Sequence, residues 1–146
     1  METKDAIKHN YLLRDLSDEA LNSIAALSEI TEFAGGDVII REFDKNNDLF
    51  IFLEGSARIN TFSGEKLAEL GPGSIVGEIS LVDEKPRSAT VISVGGTKAA
   101  KIPSSSLREL LSARPDIAAT IYKNISLVLC SRLRNANMQL DGALGR

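Results

Sequence analysis

The sequence predicts a mainly β domain with flanking helices, and three observations predict it. Between Ala34 and Ile102 short β-rich runs are punctuated by glycines; the segments before and after carry helical periodicity; and Pro103 and Pro115 stand where the helical texture resumes. Its 146 residues, 43% of them hydrophobic, are enough for one proper core and too few for a second large domain. Residues 1–146 therefore read as one domain, with a helical part at 1–33, a β-roll at 34–102, helices at 103–139 and a tail at 140–146 that is expected to fray.

Leu16-Ser17-Asp18-Glu19-Ala20-Leu21 has the form of a helix start, with Ser17 as N-cap, acids in the first turn, and Leu21, Ile24 and Leu27 at three-residue steps. That helix is expected to run to about Glu29. The strand candidates are VII at 38–40, LFIFL at 49–53, SARINTF at 56–62, KLAEL at 66–70, ATVISV at 89–94 and TKAAKI at 97–102. Gly35, Gly36, Gly55, Gly64, Gly71, Gly73, Gly95 and Gly96 fall mostly between these runs, at intervals that suit tight turns in an all-β barrel or sandwich. After Pro103, Ser104 or Ser105 can cap SLRELLSA, and Pro115 can open a long helix carrying Ile117, Ile121, Ile125, Leu129 and Leu133. That stripe can cover the β-roll or pair with a second copy of itself in a homodimer.

Charge and composition narrow the function. With 17 basic and 20 acidic residues, a net charge of -3 and no long like-charge run, the chain carries no electrostatic footprint for nucleic acid. No apolar run approaches the roughly 18–20 residues of a membrane span, so no membrane insertion is expected. METKDAIKHN has no signal-peptide core and a lone cysteine cannot form an intrachain disulfide, which makes the cytoplasm the expected compartment. Cys130, between apolar helix positions, reads as a small buried residue. The single histidine, His9, leaves no cluster for a bound metal. Asp83 and Glu84 read as turn acids facing water rather than a catalytic pair, so no enzymatic activity is expected.

The chemistry concentrates in GEISLVDEKPRSATV, residues 77–91. Gly77 leads into EISLV, long enough for one turn whose free backbone N–H groups point outward. Gly77 permits close backbone approach, the positive end of the turn favours an anion, and Arg87 can meet the same phosphate with two parallel hydrogen bonds. Glu78, an acceptor when ionised, suits a ribose hydroxyl. Phosphate and ribose together indicate a nucleotide. Ser88 adds a hydroxyl and an N–H, while Ala89 and Thr90 leave room beside the roll. Taken alone, Glu78 and Arg87 also fit an ordinary surface ion pair, worth about 0–1 kcal/mol.

This stretch resembles the phosphate-binding cassette of cyclic nucleotide-binding domains, the family found in catabolite activator protein and in protein kinase A regulatory subunits. The likeness covers nearly the whole chain: LSDEALNSIAAL is similar to the leading helix, GDVIIREFDKNNDLFIFLEGSARI to the first strands, LAELGPGSIVGE to the approach to the cassette, and LRELLSARPDIAATIYKNI to the closing helices. The resemblance implies a double-stranded β-helix (jelly-roll) barrel, a short cassette helix and two C-terminal lid helices. It implies that Glu78 takes the ribose 2'-hydroxyl and Arg87 the cyclic phosphate, that the backbone of Gly77, Ile79 and Ser80 lines the sugar-phosphate, and that Ser88 and Ala89 complete the phosphate contacts. Lid residues over the base are expected among Arg132, Leu133, Arg134 and Asn137. Ser88 after Arg87 points to cyclic AMP over cyclic GMP, because the resembling cyclic GMP-dependent kinases tend to carry threonine there.

Two positions depart from the family pattern. Phe43 stands where glycine is frequent before the aspartate of an early turn, and Val76 where phenylalanine commonly precedes the Gly-Glu pair; both bear on local packing more than on the phosphate clamp. In the resembling transcription factors a helix-turn-helix follows the long helix, but this sequence ends at Arg146. The output is therefore expected to pass to a downstream protein or to lie elsewhere in a larger chain. The competing expectation is a protein-interaction module whose nucleotide pocket has decayed.

Overall fold

The computed structural model describes residues 2–60, 66–85, 87 and 89–144, and for Leu67 and Ile79 the backbone only. Ser88, the end of the 56–62 run and the last two residues of the tail lie outside the described residues.

Among the described residues eight strands form two antiparallel four-stranded sheets. They are β1 (Glu29–Phe33), β2 (Val38–Ile40), β3 (Leu49–Glu54), β4 (Ala57–Asn60), β5 (Lys66–Leu70), β6 (Ile75–Val76), β7 (Thr90–Ser93) and β8 (Thr97–Ile102). One sheet runs β1-β8-β3-β6 and the other β2-β7-β4-β5. Strands remote in sequence are thus neighbours in space, the interleaving of a double-sheet jelly roll. The central strand β3 explains its own unbroken apolar run. Leu49, Ile51 and Leu53 pack with the helices, while Phe50 and Phe52, one face over, pack with Ile39, Ile40, Ala57 and Val91 of the other sheet. A strand covered on both faces has no polar side to display. Val76, in the place of the expected phenylalanine, is buried in this same inter-sheet cluster.

Among the described residues five helices flank the roll: α1 (Thr3–Lys8), α2 (Asp18–Leu27), α3 (Glu78–Asp83), α4 (Ser104–Ala113) and α5 (Pro115–Ala143), with a 3₁₀ turn at Tyr11–Leu13. Ser17 caps α2, its hydroxyl accepting from the Ala20 N–H at 3.1 Å. That helix stops at Leu27, and Glu29, expected as its end, begins β1. The helical N-terminal part therefore does not reach residue 33: Glu29–Phe33 pairs with β8, Glu29 opposite Lys101 and Phe33 opposite Thr97. Neither α1 nor the 3₁₀ turn was expected, since each carries too little periodic apolar sequence to stand out. Their burial comes from tertiary packing of Ala6, Ile7, Leu12 and Leu13.

The closing helices correct three expectations. Neither serine caps α4; Pro103 sits at the N-cap, without a side-chain acceptor, and the Ser104 N–H donates instead to Asp48 Oδ1 at 2.8 Å, a partner 56 residues away. Pro115 does occupy the first turn of α5, and Ile117, Ile121 and Ile125 are buried in the core cluster where α5 meets the 3₁₀ turn and α4. Leu129 and Leu133 are exposed, so the apolar stripe docks only over its first half. Cys130, expected to be buried, is exposed on the undocked half. The tail expected to fray from residue 140 is helical through Ala143.

Candidate functional site

Three elements deliver the charged groups of residues 77–91 to one cavity. Strand β6 is followed by Gly77, whose φ of 95° is left-handed and which is the N-cap of α3. A Cβ there would lie 2.6 Å from Arg87 Nη1 and 2.7 Å from the Asp48 carbonyl oxygen. Glycine is thus required twice, by backbone conformation and by close approach. The approach is to the chain's own arginine and carbonyl, where the sequence suggested approach to a ligand.

Arg87 is 4% exposed. Its backbone is pinned by the turn before β3, the Phe43 N–H donating to the Arg87 carbonyl at 2.9 Å and the Arg87 N–H to the Asp44 carbonyl at 2.8 Å. Its guanidinium donates from Nη1 to the Gly77 carbonyl at 3.2 Å and from Nη2 to the Asp48 carbonyl. Among the described residues it makes no ion pair. Burial depresses its proton affinity below the ordinary guanidinium range, opposed by the more distant Asp48, Asp44 and Glu78 carboxylates. A buried cation held by neutral carbonyls, with donors to spare, is prepared for an incoming anion.

Glu78, 7% exposed, stands at the start of α3. It does not pair with Arg87. Arg132 of α5 lies 3.9 Å from Glu78 Oε1, and Tyr11 of the 3₁₀ turn lies close enough to the same carboxylate to feel its charge. Burial first, and then the neighbouring Glu78 charge, push the Tyr11 phenol above its usual range, so that it stays a donor.

The cavity these groups face has a volume of about 390 Å³. Gly77, Glu78, Ser80, Arg87 and Ala89 line it from the cassette; Ile59, Ala68, Leu70 and Val91 make an apolar floor from the second sheet; Arg132 closes one side. Thr90 is not in the lining, and its hydroxyl accepts from the Glu42 N–H at 3.1 Å. Leu133, Arg134 and Asn137, grouped with Arg132 as lid candidates, are exposed on α5 and outside the lining. Asp83 and Glu84 take structural partners: Asp83 Oδ1 accepts from the Lys85 N–H at 3.0 Å, and Glu84 pairs with Arg108 of α4. No group of three or more His, Cys, Asp or Glu side chains among the described residues could hold a metal, and no described helix is long and apolar enough to cross a membrane.

Tyr11 and Asp48 were not singled out from the sequence. Tyr11 has no motif around it. Asp48 belongs to DKNND, where the Asp44 and Asn46 side chains each accept from the backbone two residues on, a turn signature that marks the loop but not its partners.

Residues 30–114, which carry the cassette and seven of the eight strands in full, match the family described as cyclic nucleotide-binding domain. The chain belongs to this family. As a cyclic nucleotide-binding domain it is similar to Glutaminase 2 of Bradyrhizobium diazoefficiens, 30% identical over 130 residues, covering 89% of this chain and 21% of that protein. It is similar also to the Cyclic AMP receptor protein of Thermus thermophilus, 28% identical over 139 residues, covering 92% of this chain and 62% of that protein. Its fold matches the N-terminal domain of a transcriptional regulator from Streptomyces coelicolor with a TM-score of 0.76 and 28% identity, over 91% of this chain and 95% of that one. The chain spans between 21% and 62% of the length of these curated relatives.

Proposed function

We propose that this protein is a cytoplasmic receptor for a 3',5'-cyclic nucleotide, cyclic AMP in preference, and that occupancy moves its C-terminal helices. The observation that carries the reading is Arg87, a buried guanidinium that among the described residues is bonded only to carbonyls, at the edge of a cavity of about 390 Å³. That volume lies in the range of small-molecule sites, and the division into an apolar floor and one charged wall suits a base and a sugar-phosphate. In this reading Arg87 takes the cyclic phosphate and Glu78 the ribose 2'-hydroxyl. The backbone of Gly77, Ile79 and Ser80, with Ser88 and Ala89, completes the cradle, and Thr90 supports it from behind through Glu42.

The preference for cyclic AMP is supported by the similarity to a cyclic AMP receptor protein and by serine following Arg87 in the sequence. Movement of α5 is supported by Arg132, which already reaches Glu78 from that helix. A ligand that engages both the cassette and Arg132 favours the closed arrangement by its differential affinity, and closure carries Leu133, Arg134 and Asn137 toward the base. The protein itself performs no chemistry in this account.

Calorimetry of nucleotide-free protein with cyclic AMP and cyclic GMP tests the reading. Cyclic AMP is expected to bind more tightly. Arg87→Ala, removing a charge-assisted contact worth on the order of 1.5–3 kcal/mol, is expected to weaken binding tenfold or more. Folded, nucleotide-free protein that binds neither nucleotide would overturn the proposal in favour of an interaction module.

A further inference from the structure

We propose that the cavity takes 3',5'-cyclic nucleotides without reading the base, pyrimidine as well as purine, an inference that rests on the reading of the site as a cyclic nucleotide receptor. Among the described residues only four lining side chains carry a polar atom: Glu78, Ser80, Arg87 and Arg132. The first three belong to the cassette, where that reading puts the sugar and phosphate. The rest of the wall is aliphatic. In the second sheet Val91 of β7 stands opposite Ile59 of β4, and Ile59 opposite Ala68 of β5, so three floor side chains form one row leading away from the strand that Arg87 precedes. With neighbouring strands about 4.8 Å apart, the row is about 10 Å long. It opens outward: Val91 is buried, Ile59 half-buried and Ala68 exposed.

Selection of a base needs a fixed donor or acceptor set against its edge. An aliphatic row supplies neither, only contact area, which every planar ring can use. The backbone of β4 adds nothing, because it has a strand on each side. Arg132 can only donate, and adenine, guanine, cytosine and uracil all present acceptors, so its guanidinium excludes none of them; it is also drawn toward Glu78 at 3.9 Å. Asn137, which carries both a donor and an acceptor, is exposed outside the lining, more than a helical turn beyond Arg132. Toward the mouth the base edge therefore meets water, which satisfies donors and acceptors alike. The preference for cyclic AMP over a pyrimidine nucleotide is then graded: a second ring contributes contact area worth about fivefold in affinity.

Cyclic CMP and cyclic UMP decide the matter. Their rings are nearly equal in size and inverted at the edge, cytosine donating from its 4-amino group where uracil accepts at O4. Calorimetry of nucleotide-free protein is expected to give the two affinities within about threefold of each other, and both within about tenfold of cyclic AMP. A wider split between the pyrimidine nucleotides, or a loss of more than about tenfold from cyclic AMP to either, overturns the inference, while the binding of cyclic AMP leaves the receptor reading standing. Ala68→Glu, an exposed change on an edge strand, puts an acceptor at the outer end of the row. It is expected to favour cyclic CMP over cyclic UMP by about fivefold or more. Equal binding of the two by that variant places the base elsewhere and overturns the inference. If folded, nucleotide-free protein binds no cyclic nucleotide at all, the receptor reading falls and this inference falls with it.

Discussion

Phe43 sits at φ 69°, in the left-handed region, and is 66% exposed. A bulky residue in that conformation costs about 1–2 kcal/mol, of which glycine would recover part after its own greater chain entropy. Phe43→Gly is therefore expected to stabilise the protein by roughly 0.5–1 kcal/mol, read as a rise of about 2 °C in thermal midpoint. The same position shows what a sequence can disclose about a residue. The family pattern marked Phe43 as a misplaced side chain, and the turn it strains pins the Arg87 backbone. Glu78 and Arg87 were legible because their chemistry is local to one motif. Asp48 and Tyr11 were not, because their partners lie 56 and 67 residues away, at Ser104 and Glu78.

Among elements, two contacts hold the N-terminal segment to α5. Asn124, 5% exposed, donates from Nδ2 to the Leu12 and Arg14 carbonyls at 2.9 and 2.8 Å. Asn124→Ala leaves a buried carbonyl without its donor and is expected to cost about 2 kcal/mol in denaturant unfolding. At the surface, Arg114 bridges Glu19 at the start of α2 and Asp116 at the start of α5. Its hydrogen bonds, then its charge, hold Glu19 below the ordinary value of 4.5, and its hydrogen bonds hold Asp116 below 3.8. Groups with depressed folded pKa values contribute stability above their unfolded values and lose it as pH falls through the folded ones. Thermal midpoints are thus expected to hold from pH 7 to about 5 on account of this cluster and to decline below the 4.5 of an ordinary glutamate. Arg114→Gln is expected to flatten that decline, and added salt to shrink the difference.

Element prediction succeeded where one local signal sufficed. TKAAKI is strand β8 residue for residue, and Ser17 caps α2. It failed where structure depends on a remote partner. Strand β1 is defined by pairing with β8, the two-residue β6 by pairing with β3, and α4 by a cap from another loop. Periodicity gave α5 its apolar stripe but not the point at which the stripe leaves the domain.

At the scale of the molecule, that point is the dominant feature. Every residue of α5 from Leu129 through Ala143 is exposed, although an isolated helix of such length is marginal in water. Leu129, Leu133, Ala136 and Leu140 follow a four-three-four spacing suited to a coiled-coil seam. A homodimer through this half of α5 is the expected assembly. Sedimentation should report a dimer for wild type and a monomer for Leu140→Lys, with the nucleotide site unaffected; a wild-type monomer at all accessible concentrations would remove the dimer from the account.

The docked half of α5 ends at Ile125, and no glycine or proline interrupts the helix before Gly142. Beyond Arg132, which still reaches Glu78, an α-helix to Ala143 extends about 16 Å, so a tilt of about 10° sweeps the far end through about 3 Å. In the proposed receptor this stiff end acts as a pointer: it magnifies an ångström-scale adjustment around a small molecule into a displacement that a neighbouring protein can register.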